Sequence, residues 1–111
     1  MTEPYRSKLS VGSRADLAMF PTDWPELEYE IGATTAVGNS DPSKRYGTVM
    51  VAPVSALSRG WVNITSNSTR DLPIVNPNQL SHPTDREVAV QAFMRARSFF
   101  ETQAMKSIAV K

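Results

Sequence analysis

The chain of 111 residues contains no cysteine. That excludes disulfides, thiolate nucleophiles and cysteine-ligated zinc together. It contains a single histidine, His82. A Ser-His-Asp triad would need that residue as its base, and a histidine-based metal site would need further ligands beside it. The five glycines stand at positions 12, 32, 38, 47 and 60, and no two are separated by one residue. A Gly-x-Gly dinucleotide loop and a Walker loop are therefore both absent. No apolar run approaches the roughly 18 residues that mark a membrane-spanning helix. The opening stretch MTEPYRSKLSVGSRADLAMF lacks the apolar core of a secretory leader. The final IAVK is neither a peroxisomal nor a retention signal. The compartment stays open on these grounds. The formal net charge is +1, and no run of Lys or Arg offers a nucleic-acid footprint.

What is present is ordinary in bulk and irregular in detail. Hydrophobic and charged contents of 41% and 21% suit one soluble globular domain at most. The eight prolines cluster in turn material and predict a loop-rich fold. Residues 1–13 are polar and unpatterned and read as a loose segment. Ser13 is placed to cap a short helix over RADLAMF, with Asp16 in its first turn and Pro21 ending it. ELEYEIG alternates, with Leu27, Tyr29 and Ile31 on one face and Glu26, Glu28 and Glu30 on the other. That pattern is a half-buried strand with a wet acidic face. A loop over 38–45 leads to YGTVMVAPV, residues 46–54. Its run Val49–Ala52 is apolar on both faces and predicts a central, two-sided strand ended by Pro53. WVNIT follows a short turn, so antiparallel pairing of these two strands is the default. PIV, closed by Asn76-Pro77, is a third short strand.

The best-marked element is the helix after LSHP. Thr84 to Glu87 reads as a capping box, Thr84 accepting from the Glu87 amide and Glu87 reaching back. His82 precedes a proline and is pushed out of the helical region, which makes it a surface or cap-region side chain. Glu87, Gln91, Arg95, Ser98 and Thr102 form a polar stripe. Ala89, Phe93, Ala96 and Phe100 lie opposite, with Val88, Ala92 and Phe99 beside them. This is an amphipathic helix of about five turns that packs on the sheet.

Few of these residues point to chemistry. Glu26, Glu28 and Glu30 share one exposed face, whereas an acid/base pair needs two carboxyls in unlike environments; three in a row read as a solvated edge. Trp24 and Trp61 read as packing anchors. Ser58-Arg59-Gly60 reads as a turn with glycine at the tight position. Asn63-Ile64-Thr65 and Asn67-Ser68-Thr69 both match the N-glycosylation pattern, which makes Asn63 and Asn67 the glycosylation candidates. The same residues also fit a strand end and a turn without sugar, and that reading is preferred where no leader is visible. No metal site and no catalytic residue is assigned.

DLAMFPTDWPELEY, followed by VAPVSALSRGWVNITSNSTRDLPIVNPNQLSHPTDREVAVQAFMRARSFFET, resembles the substrate-binding domain of the fungal glucose-methanol-choline (GMC) family of FAD-dependent oxidoreductases. Ser58, Arg59 and Gly60 match a family turn. Pro73, Ile74, Pro77, Asn78 and Leu80 match the linker after the second strand, and Pro83 and Asp85 match the helix entrance. The likeness covers residues 15–108. Pro53 lies five residues before Ser58, further than the family's pattern places its proline. The resemblance implies an α+β fold over residues 14–111, an antiparallel sheet with a long helix on one face, forming part of a wall over the flavin where an alcohol binds. Met50 and Ala52 are candidates to face that cavity. It also implies hydride transfer from a CH–OH group to FAD, with a small-molecule alcohol as substrate and no nucleic-acid or membrane partner. Family members are several times longer. Their FAD-binding domain and catalytic histidine have no counterpart here, and His82 is not that histidine. The expectation is a fragment of such an enzyme, inactive alone and binding no FAD alone. The alternative is a self-standing, non-catalytic binding or partner module derived from the same domain. An unrelated enzyme is disfavoured, because no nucleophile–base pair, metal cluster or phosphate loop is visible.

Overall fold

The computed structural model describes residues 3–33 and 41–107. A 3-10 turn, Arg6–Lys8, leads to helix α1, Val11–Leu17. Strands β1, Leu27–Gly32, and β2, Thr48–Pro53, form one antiparallel ribbon. Strands β3, Trp61–Asn63, and β4, Ile74–Asn76, form a second. Helix α2, Pro83–Phe99, packs along β2, and a short helix α3, Gln103–Lys106, follows. The arrangement is α+β, with the long helix on one face of the first ribbon.

The first helix starts earlier than the sequence predicts. Ser10, not Ser13, is the cap, and its hydroxyl accepts the Ser13 amide at 3.1 Å. Both serines are competent caps. Starting at Ser10 places Ser13 and Leu17, four residues apart, on the buried face. Leu9, in the stretch read as loose, is also buried, and it forms the core with Leu17 and Val88, against which Leu27 packs.

The predicted pairing of the strand at 46–54 with WVNIT does not occur. The first of these pairs instead with β1, Leu27 opposite Pro53 and Gly32 opposite Thr48. Trp61 lies opposite Asn76 in the separate β3–β4 ribbon. The cause lies in the connecting turn, where the Leu57 and Ser58 amides are bound to α2 and hold β3 away from β2. β2 is therefore not a central strand among the described residues. Val49 and Val51 are half-buried, while Met50 and Ala52 stay exposed. On β1, Leu27 and Tyr29 turn inward as predicted, but Ile31, further from the core, is exposed. Glu26 departs from the wet acidic face. It forms an ion pair with Arg6, and its side chain is largely covered. Glu28 and Glu30 are exposed.

The capping box at Thr84 is overturned. Pro83 takes the first turn, where its fixed φ and missing N–H cost nothing. The cap thereby moves to His82, whose Nδ1 accepts the Thr84 amide at 3.3 Å. Thr84, freed from capping, donates its hydroxyl to Asp16 of α1. Glu87 accepts the Ser10 amide at 2.7 Å, so it caps the neighbouring helix instead of its own. The helix face is also turned. The buried stripe is Thr84, Val88, Ala92 and Ala96, with Asp85 beside it. Arg95 swings inward, its guanidinium 5.3 Å from the Tyr29 ring centre. Phe93, predicted on the apolar side, is 58% exposed, with Val90 and Met94 exposed near it. The alanines explain the rotation, because small side chains let the helix approach β2 and α1 closely.

The chain is open for its size. Its radius of gyration is 18.4 Å, against about 13 Å for a compact domain of this length. It exposes 8674 Å², where a compact monomer of its mass exposes about 6,100 Å².

Candidate functional site

Two places gather side chains with chemical capacity. The first is the open face of the β1–β2 ribbon. Glu28 is paired with Ala52 and Glu30 with Met50, so these four side chains share one face. A depression of about 350 Å³ lies there, lined by Glu28, Glu30, Met50, Val51 and Ala52. The opposite face is taken by α2. The ribbon thus offers one covered side and one side that mixes apolar and carboxylate groups.

The second is the start of α2. Asp85, 2% exposed, accepts the Leu57 amide at 2.8 Å and the Ser58 amide at 2.7 Å, and also the Ser58 hydroxyl. The Ser58 oxygen in turn accepts the His82 amide at 3.0 Å. Burial pushes the Asp85 carboxyl up, but these donors and the nearby His82 outweigh it and hold it below the ordinary aspartate range. Two residues on, the chain passes so close to β4 that a Cβ on Gly60 would lie 2.2 Å from the Asn76 carbonyl oxygen. Asn78 and Leu80 adopt left-handed backbone, and the Asn78 amide group donates to the Arg59 carbonyl at 2.9 Å. The Asp85 carboxylate, the Ser58 hydroxyl and the Asn78 amide group are each bonded to another part of the chain, so the knot is read as structural.

A depression of about 470 Å³ beside α1 and α2 is lined by Lys8, Leu9, Ser10, Arg86, Glu87, Val90 and Gln91. Its carboxylate, Glu87, is already engaged by the Ser10 amide. Among the described residues no group of three or more His, Asp or Glu side chains could hold a metal ion. No described helix is long and apolar enough to cross a membrane.

His82 is where the sequence places it, at a helix cap. Trp24 and Trp61, read as packing anchors, are both about half exposed, because nothing in the described chain covers them. Asn63 and Asn67 are both exposed. The Ser58–Asp85 contact was not foreseen. The available signal was an aspartate two residues after a proline at a helix entrance, free to serve the loop as well as the helix.

The residues of the knot, Leu57 to Gly60 and Asn76 to Asp85, all lie within the stretch that a family model matches. A model of the GMC oxidoreductase family matches residues 56–111. This chain belongs to the GMC oxidoreductase family. Patulin synthase from Aspergillus clavatus is 40% identical over 97% of this GMC chain, which spans 18% of that protein. Glucose methanol choline oxidoreductase atC from Aspergillus terreus is 38% identical over 93% of the chain, against 17% of its own length. Versicolorin B synthase from Aspergillus parasiticus is 39% identical over 90% of the chain and 16% of its own length. The chain thus spans less than a fifth of the curated relatives it matches.

Proposed function

We propose that this chain is part of the substrate-binding region of a flavin-dependent oxidoreductase that takes hydride from a CH–OH group, and that it supplies one wall of the alcohol site. The observation that carries this reading is the one-sided ribbon. Its inner face is used by α2, so Met50 and Ala52, with Glu28 and Glu30 beside them, are the side chains left to meet a ligand. An apolar surface with a few polar groups is the usual composition of a small-molecule wall. The openness of the chain, and its spanning less than a fifth of the relatives it matches, support its being a piece of that region.

The described residues do not fit a flavin. A dinucleotide pyrophosphate is held by a glycine-rich turn and a free helix N-terminus. Here the N-terminal end of α2 is closed by His82 Nδ1 and by the Asp85 carboxylate, an anion that repels phosphate. The cofactor and the base that accepts the hydroxyl proton are therefore assigned to polypeptide outside these residues, and the chain alone is inactive in this reading.

The test replaces the matched segment of Aspergillus clavatus patulin synthase with residues 1–111 and follows bound flavin and patulin formation. The expected result is retained flavin and measurable turnover. Met50→Trp or Ala52→Trp should raise KM by roughly tenfold with flavin content unchanged. Turnover indifferent to both substitutions would remove these residues from the wall. Loss of flavin in the unsubstituted chimera would contradict the placement of the chain in this fold.

A further inference from the structure

We propose that Asn67, and not Asn63, is the residue this fold presents for N-glycosylation when the chain enters a secretory lumen. Both triplets satisfy the acceptor pattern, which calls for a surface loop. The fold separates them. Asn63 ends β3 and is paired across the ladder with Ile74. The hydroxyl of its triplet is also committed, since Thr65 donates to the Leu72 carbonyl at 3.1 Å.

Asn67 lies in the segment that joins β3 to β4, and it is exposed. That segment is held together without it. Ser66 donates its hydroxyl to the Asp71 carboxylate and accepts the Ser68 amide at 2.9 Å. The Ser68 hydroxyl accepts the Arg70 amide at 3.2 Å, and the Ser68 carbonyl accepts the Asp71 amide at 3.2 Å. Asn67 and Thr69 take no part in these bonds, so the amide and the hydroxyl that the modification uses are both available. The scaffold supplies a turn whose shape is fixed by its neighbours while the acceptor pair points to no other partner. The β3–β4 ribbon is also set apart from the α1–α2 core, so a large sugar on its tip meets solvent and not the helices.

The donor is an oligosaccharide on a polyprenyl pyrophosphate. Asn67 Nδ2 forms a C–N bond to the anomeric carbon, and the C–O bond to the pyrophosphate breaks. The polyprenyl pyrophosphate leaves, the amide loses one proton, and no atom is oxidised or reduced. This inference does not depend on the flavoenzyme reading. It concerns the solvent-facing tip of the ribbon and the compartment the chain enters.

The experiment expresses the full chain behind a cleavable secretion leader in a eukaryotic host and reads both medium and cell extract, so that retention does not hide the product. Peptide-N-glycosidase treatment in heavy-oxygen water, followed by mass spectrometry, marks an occupied asparagine as labelled aspartate. The expected result is label at residue 67 and none at residue 63. Asn67→Gln and Thr69→Ala should each abolish the glycoform, and Asn63→Gln should leave it intact. Label at residue 63 alone or at both residues, or an unmodified chain, would overturn the proposal.

Discussion

Ser58 and Asp85, 27 positions apart in sequence, are joined twice: the Ser58 amide and the Ser58 hydroxyl both donate to the same carboxylate oxygen of Asp85. The pair ties the turn before β3 to the first turn of α2. It also uses the Asp85 charge at a helix N-terminus, where a carboxylate is favoured. Asp85→Asn should destabilise the chain by about 1–3 kcal/mol, because a buried acceptor of amide and hydroxyl protons loses its charge and part of its capacity. Ser58→Ala, which keeps the two backbone donors but strands the His82 amide, should cost about 1 kcal/mol. Denaturant unfolding of both single variants and the double variant should show strong non-additivity, since the two share one network. Additive losses would mean that the pair is not coupled.

The same carboxylate sets an acid dependence. The Asp85 pKa is lower in the folded chain than in the unfolded one, so below the unfolded value the unfolded state binds more protons and stability falls with pH. The contribution is therefore full above the unfolded value of about 3.9 and is lost as pH drops through the lower, folded value. Unfolding free energies measured from neutral pH down into this range should decline, and Asp85→Asn should flatten that decline. An acid limb of unchanged slope in the variant would assign it to other carboxylates. Glu87, lowered first of all by the Ser10 amide that donates to it, is the first of these to test.

Gly60 is required by close approach. Its backbone φ is not in the left-handed region, yet any Cβ there would overlap the Asn76 and Pro77 carbonyl oxygens. Gly60→Ala should cost about 3 kcal/mol or shift the β3–β4 ribbon away from the turn. Gly47→Ala is the matched control. Its Cβ would meet only the Phe100 ring at 3.9 Å, an ordinary contact, so stability should change little. Thermal melts of the two variants side by side separate a backbone clash from a general glycine effect.

Much of the fold was legible where local rules act alone. The alternation in ELEYEIG gave β1 its place, Pro53 closed β2, and LSHP announced α2. The helix on one face of the sheet was legible from the helix's own apolar side as well as from the family resemblance. The errors in capping and strand pairing share one cause, which is side chains that serve a distant partner. Ser10 and Glu87 cap α1 together across 77 positions. Thr84 reaches Asp16, and Asp85 reaches back to the 57–58 turn. A capping box is a local pattern, and it failed because each of its members had a stronger tertiary claim. The strand pairing failed for the same reason, since the turn that would have made a hairpin is bound to α2. The candidate wall was half legible. Met50 and Ala52 were named, but only the register shows that they share a face with Glu28 and Glu30. Exposed Phe93, Trp24 and Trp61 could not be foreseen from periodicity, which reports a side chain's chemistry and not what lies against it.

The central claim is that these residues work as a wall of a larger flavin enzyme. The most direct measurement is to capture the native protein from the cells that make it, using an antibody to the exposed stretch DPSKRYG, residues 41–47, and to read its length by mass spectrometry and its flavin by visible absorbance. The account predicts a polypeptide several times longer than 111 residues with flavin bound. A native species of 111 residues, colourless and without a flavin-bearing companion, would contradict it.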